Sequence, residues 1–147
     1  MARHSADAVV AAARGWIGTP YHHQASIRGI GADCLGLVRG VWRDLHGEEA
    51  EPAPAYSRDW GEAAGEETLI DAATRHLVPR RRESTPRPGD ILIFRMRAGA
   101  VAKHAAILAT PTTMLHAMEG RRAAEVPFSL WWRRRLAAVF SFPGTDR

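Results

Sequence analysis

The chain has 147 residues, 46% of them hydrophobic, so it can enclose one core but is too short for two, and we expect residues 1–147 to form a single domain. It contains no apolar run of about 20 residues and no sustained heptad, which argues against membrane insertion and against a coiled coil. The net charge of +4 would attract acidic partners, but nearly all basic residues are arginines without interleaved aromatic residues, so we expect no nucleic-acid partner.

The N-terminal segment, Met1 to Ile17, carries Asp7 and only a short apolar stretch from Val9 to Ala13. It lacks the charged, apolar and small-residue layout of a secretory signal. We therefore expect synthesis in the cytoplasm without export by the general pathway. The single cysteine, Cys34, excludes an internal disulfide and predicts a free thiol.

The first part of the chain predicts a helix followed by a loop. Ser5 can cap a helix whose apolar residues recur from Val9 to Ile17, and Gly18-Thr19-Pro20 then ends it. The next segment, Tyr21 to Ala32, is rich in glycine, histidine and polar residues and shows no period. We interpret it as a loop that leads to the cysteine.

A second helix is predicted directly after this loop. Asp33 stands at its N-cap position, and His46-Gly47 ends it. Apolar residues recur between them at helical spacing, at Cys34, Val38, Val41 and Leu45. Cys34 is therefore expected in the first turn of a buried helix.

The middle of the chain predicts a surface connection at Glu48 to Arg58, a third helix at Glu62 to Leu77 ended by Pro79, and a polar linker at Arg80 to Pro88. Beyond it, short apolar runs predict strands at Ile91 to Met96, Val101 to Ala109, Met114 to Met118 and Leu136 to Phe142. Helices first and antiparallel strands second predict an α+β fold, with the helices packed on one face of the sheet.

The position of Cys34 is suited to nucleophilic chemistry. A thiol attacks a carbonyl as the thiolate, and the free N–H groups and dipole of a helix N-terminus favour negative charge there. The same N–H groups could stabilise the oxyanion that the attack produces. A cysteine in an apolar helix stripe is, however, more commonly a small buried side chain, so its position alone does not identify a nucleophile.

Two histidines provide candidate partners for the thiol. If the strands that contain His104 and His116 form a hairpin centred near Thr110, the two side chains face each other on one side of the sheet. One imidazole could then act on the thiol while the other orients it. The alternative is that both are ordinary half-buried strand residues.

A metal site is the rival use of the same side chains. The candidate ligands are His22, His23, Cys34, His104 and His116. They show no Cys-x-x-Cys or His-x-x-x-His spacing, and adjacent histidines in extended backbone point apart. We therefore expect no metal site.

Five motifs in order resemble those of NlpC-type (NlpC/P60) papain-like cell-wall peptidases. They are Gly18-Thr19-Pro20-Tyr21, Asp33-Cys34-Leu35-Gly36-Leu37, Arg87-Pro88-Gly89-Asp90-Ile91-Leu92-Ile93-Phe94, Lys103-His104-Ala105-Ala106-Ile107 and Leu115-His116-Ala117. The resemblance implies a papain-like α+β domain without a cofactor. By the same resemblance Cys34 is the nucleophile, His104 the base, His116 its orienting partner, Tyr21 an oxyanion donor and Asp33 a substrate-binding residue.

The implied reaction is hydrolysis of an amide in a peptidoglycan stem peptide, often between D-glutamate and diaminopimelate. Many family members carry serine after the cysteine, whereas this chain has Leu35, which leaves the exact bond open. The chain also resembles the subgroup carried on phage or phage-like tails, which implies tail or hub proteins as partners and action at the cell wall. Alternatives are a catalytically silent tail-assembly protein and an acyltransferase or amidase that uses the same Cys and His pair.

Three charged or aromatic runs receive no functional assignment from sequence. The arginine runs Arg80-Arg81-Arg82 and Arg133-Arg134-Arg135 are interpreted as solvated faces. For Trp131-Trp132, we expect at least one ring to pack in the core beside the last strand.

Overall fold

The computed structural model describes residues 3–49, 67–81 and 84–146. Their elements are, in chain order, α1 (Ala6–Arg14), β1 (Ser26–Ile27), β2 (Gly31–Ala32), α2 (Cys34–His46), α3 (Thr68–His76), β3 (Val78–Pro79), β4 (Ile91–Arg95), β5 (Ala102–Thr110), β6 (Thr113–His116), β7 (Ala124–Pro127), α4 (Leu130–Arg133) and β8 (Leu136–Ser141). Three helices thus precede most of the strands, which confirms the predicted α+β layout.

The main sheet is antiparallel and has six strands in the order β3-β8-β4-β5-β6-β7. Its central strand β4 pairs with β5 on one side and with β8 on the other. Because side chains alternate along a strand, each face of the sheet receives every second residue of β5. The sheet therefore supports two separate apolar clusters.

The larger cluster lies between the sheet and the first three helices. Ala105 and Ile107 of β5 pack there with residues of α1, α2 and α3. On the opposite face, Ala106 and Leu108 pack with Phe94 and Phe128, and Trp132 of α4 covers part of this cluster. The expectation that one of the paired tryptophans packs in the core is thus met by Trp132, whereas Trp131 remains 48% exposed.

The first helix is shorter than predicted. Ser5 caps it as expected, because its hydroxyl oxygen accepts the N–H of Ala8 at 3.0 Å, but the helix ends at Arg14. Beyond it, the N–H groups of Trp16 and Ile17 bond to carbonyls three residues back, so the chain tightens into turns. Trp16 is buried while Ile17 is 50% exposed, so the apolar period at Ile17 did not mark a core contact.

Several short elements were missed by the sequence reading. The predicted loop from Tyr21 to Ala32 contains the two-residue strands β1 and β2, and the last third of the chain adds β7 and α4. Elements of two to four residues are too short to show a period. Most of the predicted connection at residues 48–58, and the first residues of the predicted third helix at 62–66, lie outside the described residues.

The Pro88-Gly89-Asp90 turn leads the chain into the central strand. Gly89 has a φ of 93°, a conformation that favours glycine, and Asp90 is fully buried. One Asp90 carboxylate oxygen accepts the N–H of Arg87 at 2.8 Å, and the carboxylate pairs with Arg80 at 3.3 Å. The motif therefore fixes the start of β4.

In the described part of the chain, no helix has the length and apolar character needed to cross a membrane.

Candidate active site

Cys34 occupies the first position of α2, as the sequence predicts. Asp33 caps this helix: one carboxylate oxygen accepts the N–H of Gly36 at 2.7 Å. Its other oxygen accepts the N–H of Gln24 at 2.7 Å, a residue held at the unusual φ of 65°. Asp33 is 2% exposed, so its side chain joins the helix start to the loop before it.

Packing against the preceding loop requires a glycine at position 36, two residues after the cysteine. A Cβ added there would lie 1.8 Å from the carbonyl oxygen of Ala25. The hydroxyl of Ser26 donates to the Gly36 carbonyl at 2.6 Å, which holds the loop against the helix. The loop and the helix can approach this closely because Gly36 has no side chain. Their close approach sets the position of Cys34.

The thiol of Cys34 is buried at the start of the helix. Burial and the nearby Asp33 carboxylate raise its pKa to about 12, although the backbone N–H groups of Ala105, Leu35 and Cys34 itself favour the thiolate. The helix N-terminus thus acts in the predicted direction but is outweighed by desolvation. In this state the thiol is neutral at physiological pH.

The two predicted histidines form a hydrogen-bonded pair. His104 Nε2 lies 2.9 Å from His116 Nδ1, and both side chains are buried. They are diagonal neighbours rather than direct partners, because Ile107 pairs with Leu115 and His116 therefore lies opposite Ala106. The hairpin is centred one residue later than predicted, with a register shift between Leu108 and Thr110.

Burial also keeps these imidazoles neutral. Desolvation, followed by the charge of His116, lowers the pKa of His104 to about 3. Desolvation, followed by the charge of Arg121, lowers the pKa of His116 to about 4. A neutral imidazole can accept a proton, so the pair is in the protonation state that a general base needs.

Trp132 packs against the histidine pair, a contact that sequence reasoning did not identify. Its ring stacks on His104 with a centroid distance of 5.2 Å and an interplanar angle of 28°. It also meets His116 edge-on, with the ring centroids 5.4 Å apart. Only its position in the one-turn helix α4 aims it at the pair, and no sequence period reveals a helix of four residues.

Two adjacent residues of β5, His104 and Ala105, link the histidine pair to the thiol. Cys34 contacts the N–H of Ala105, while the preceding residue His104 projects towards the face that carries Trp132. Among the described residues, no hydrogen bond joins the thiol directly to an imidazole. Catalytic hydrogen bonds are commonly long in a free enzyme and shorten when substrate binds.

The remaining candidates lie around the start of α2. Tyr21 forms a bridge with Ala32, and the N–H of His22 donates to the Ala32 carbonyl at 3.3 Å. His23 Nδ1 lies 3.8 Å from an Asp33 oxygen, and the ring of His22 faces Gly31. Within residues 3–49, 67–81 and 84–146, no three His, Cys, Asp or Glu side chains gather as a metal site would require.

Comparison with known proteins gives a family match for most of the chain. Residues 18–141 match the family model described as the NlpC/P60 family. The chain belongs to the NlpC/P60 family. All five motifs begin within the matched region, and it includes Cys34, His104, His116 and Trp132. No match was found among curated protein sequences.

Solved structures of NlpC/P60 proteins have the same fold. An NlpC/P60 family protein from Bacillus cereus has a TM-score of 0.66 at 18% identity over 93% of this chain and 40% of its own. The NlpC/p60 domain of the peptidoglycan hydrolase SagA has a TM-score of 0.62 at 21% identity over 95% of this chain and 100% of that domain. A lipoprotein-like member from Staphylococcus aureus has a TM-score of 0.59 at 20% identity over 92% of this chain and 40% of its own. The papain-like α+β prediction is confirmed, and the chain spans less than half the length of the first and third structures.

We expect the buried histidine pair to make this NlpC/P60 domain less stable in acid. The unfolded chain protonates its imidazoles near the ordinary pKa of 6.5, whereas the folded protein resists protonation until about pH 3 to 4. Protonation therefore favours unfolding. The free energy of unfolding should fall as the pH drops from 6.5 towards 4, by about 1.4 kcal/mol per pH unit for each histidine. Above that window the contribution is constant. Urea titrations across this range measure the slope.

The matched control replaces both imidazoles, in His104→Gln combined with His116→Gln. This variant should be less stable at neutral pH because it alters a buried hydrogen bond. Its stability should nevertheless fall less steeply on acidification, because the two titrating groups are gone. Equal acid slopes in the two proteins would contradict the burial of a neutral pair.

Proposed function

We propose that this protein is a cysteine peptidase that hydrolyses an amide bond in the stem peptides of peptidoglycan, with Cys34 as nucleophile and His104 as general base. The observation that carries the proposal is the buried hydrogen bond between His104 and His116. His104 directly precedes Ala105, the residue of β5 whose N–H contacts the Cys34 thiol. A nucleophile, a base and an orienting partner are the parts that acyl transfer needs. Membership of the NlpC/P60 family supports the same reaction class.

The proposed mechanism uses the tautomer in which His104 Nε2 carries a proton and donates it to His116 Nδ1, 2.9 Å away. In that tautomer His104 Nδ1 carries no proton and can accept the one on the Cys34 thiol. Because thiol and imidazole both start neutral, the proton moves to His104 as sulfur attacks the carbonyl carbon. The imidazolium then returns the proton to the leaving amine, the C–N bond breaks and a thioester remains. Water, deprotonated by His104, hydrolyses the thioester and regenerates the thiol.

Two groups are proposed to stabilise the oxyanion. The backbone N–H groups of the first turn of α2 already lie at the thiol, and those of Cys34 and Leu35 favour negative charge there. Tyr21, whose backbone runs beside Ala32, is proposed to add its hydroxyl. Asp33 is proposed to support substrate binding by holding the loop at Gln24, because both of its oxygens already accept backbone N–H groups.

The bond between D-glutamate and diaminopimelate is the finer part of the proposal. It rests on the family resemblance, and Leu35 cannot provide the amine contact that a serine at that position would supply. We expect the synthetic tripeptide L-Ala-γ-D-Glu-diaminopimelate to be cleaved to L-Ala-D-Glu and free diaminopimelate. Adding hydroxylamine tests the acyltransferase alternative, because a hydrolase gives mainly the carboxylate while an acyltransferase gives mainly the hydroxamate. No turnover of the tripeptide or of related stem peptides would contradict the peptidase.

Delivery by a phage or phage-like tail is a separate part of the proposal and rests on the sequence resemblance alone. It makes tail or hub proteins the physical partners and the cell wall the place of action. Mass spectrometry of purified phage-like particles from the organism that encodes the chain, scored for its peptides, tests it. Detection in the tail fraction is expected, and absence from all particle fractions would remove this part without affecting the peptidase.

Trp132 is proposed as a positioning residue that keeps water from the histidine pair. Trp132→Ala should lower kcat/KM about tenfold and move the acid limb of its pH profile upward, because hydration returns the pKa of His104 towards its ordinary value of 6.5. Trp132→Phe should recover part of the rate. The measurement is kcat/KM for the tripeptide between about pH 4 and pH 8.

Trp131→Ala is the matched control, because this neighbouring tryptophan is half exposed and its ring contacts Trp132 and Arg135 rather than a histidine of the pair. It should leave the acid limb in place. If Trp132→Ala loses rate while its acid limb stays at the wild-type position, Trp132 has a packing role only.

A further inference from the structure

Two arginine runs that lie far apart in the sequence converge on one groove. Arg81 follows β3, while Arg133, Arg134 and Arg135 end α4 and lead into β8. Because β8 pairs with both β3 and β4, these segments become neighbours, and the residues after β4 complete the wall. The groove has a volume of about 1120 Å³, and seven of its lining residues are arginines. Arg81, Arg133 and Arg134 are exposed there, which agrees with the interpretation of the runs as solvated faces, and the structure adds that the two runs share one surface.

The described lining of the groove has a large excess of positive charge. Among the described residues, no aspartate or glutamate lines it. Of its arginines, Arg80 pairs with Asp90 and Arg95 with Glu67, both beyond the lining. Arg133 and Arg135 donate to backbone carbonyls. In the described part of the chain, no carboxylate pairs with Arg81, Arg133, Arg134 or Arg135, so these guanidinium charges have no compensating anion among the described residues.

One of these charges is held rigidly. The Arg135 guanidinium lies 3.6 Å from the centroid of the Trp131 ring and donates to the carbonyls of Met96 and Trp131. Trp131 in turn packs edge-on against Trp132. A guanidinium that is already fixed loses little conformational freedom when it binds an anion.

We propose that this groove binds a linear phosphodiester polymer of the poly(glycerol phosphate) type. The guanidinium fork matches two phosphate oxygens, and a polymer with one charge per repeat can follow arginines spread along a groove. The six residues of β8 extend for about 20 Å, enough to accompany several repeats. The chemistry required is a flexible chain with regularly spaced phosphates.

Nucleic acid fits the groove less well. Single-stranded nucleic acid is held by bases stacked on aromatic rings. Of the aromatic residues that line the groove, Phe140 is buried and Trp131 already has Arg135 over its face. Helix α4 is a single turn and offers no reading element for a duplex groove. A polymer without bases needs neither feature.

The groove and the histidine pair share α4. Trp131 lines the groove, whereas Trp132 stacks on His104. Phe94 pairs with both Leu136 and His104, so the end of the groove at Leu136 lies level with the site in the sheet. A polymer bound there would hold the protein on an anionic surface with its histidine site nearby. Binding itself does not depend on the proposed peptidase activity.

The test is a binding titration of the full chain carrying Cys34→Ala, with labelled poly(glycerol phosphate) and, separately, oligodeoxythymidylate of equal charge. The variant Arg81→Gln combined with Arg134→Gln removes two exposed arginines without losing any ion pair of the described residues. We expect the synthetic polymer to bind more tightly than the oligonucleotide and the double variant to bind it about tenfold more weakly. Its slope of log affinity against log salt should fall by about two.

Arg87→Gln is the control, because Arg87 is an exposed arginine outside the groove, and it should leave affinity and slope unchanged. Melting temperatures of all variants check the fold. Three results would each overturn the proposal: no binding of poly(glycerol phosphate), tighter binding of the oligonucleotide, or equal loss in the control and the double variant.

Discussion

Cys34→Ala is expected to abolish amide hydrolysis, with a fall in kcat of about 10⁴-fold or more, while the protein stays folded. Removal of a nucleophile eliminates the thioester route, and the remaining groups cannot replace it. The side chain is small and buried, so its truncation leaves a minor void and costs about 1 kcal/mol of stability. Tripeptide cleavage measures the activity, and urea unfolding measures the stability.

Cys34→Ser is the matched control for packing, since it keeps a side chain of similar size that is a far weaker nucleophile. His104→Ala should reduce kcat nearly as much as Cys34→Ala, and His116→Ala somewhat less, because an orienting residue contributes less than a base. Wild-type activity in Cys34→Ala would refute the assignment of the nucleophile. Wild-type activity in His104→Ala would refute that of the base.

Gly36→Ala is expected to destabilise the fold strongly even though alanine is the better helix former. The helix gains about 1 kcal/mol from the exchange. The new Cβ would lie 1.8 Å from the Ala25 carbonyl oxygen, which belongs to the backbone and must move by more than an ordinary side-chain adjustment. Overpacking of this kind costs about 3 kcal/mol, so the clash outweighs the propensity by about 2 kcal/mol and should lower Tm by about 4 to 8 °C.

The displaced loop in Gly36→Ala carries the link from Gln24 to Asp33, so kcat should fall as well as Tm. Gly120→Ala is the control: Gly120 has a φ of 82° but open space around its Cβ position, so this variant pays only backbone strain of about 1 to 2 kcal/mol. Equal stability of the two variants would show that the contact with Ala25 does not limit the loop.

Much of the framework was predictable because it follows from local chemistry. Asp33 caps α2 and Gly47 ends it in a left-handed conformation, as the sequence indicates. The four apolar runs became β4, β5, β6 and β8 because each is long enough to show a buried strand. The predicted end of α1 was wrong, because the turns after Arg14 bury Trp16 at helical spacing without continuing the helix.

The site could be predicted only in part. Motif order and strand position identify Cys34, His104 and His116 as candidates. The diagonal pairing of the two histidines depends on the register of β5 and β6, which the sequence does not reveal. Trp132 and the arginine groove depend on contacts between segments that are distant in the chain. Burial outweighs the helix N-terminus at the thiol, and the extent of burial is a property of the packed protein.

Mass spectrometry of fragments released from purified sacculi, by the wild-type protein and by Cys34→Ala, tests the central claim most directly. The peptidase account predicts soluble fragments that all end at one stem-peptide bond, present with the wild type and absent with the variant. Sacculi of several wall types should be compared, because Leu35 leaves the preferred bond open. The absence of fragments from every wall type, or the same fragments from both proteins, would contradict the account.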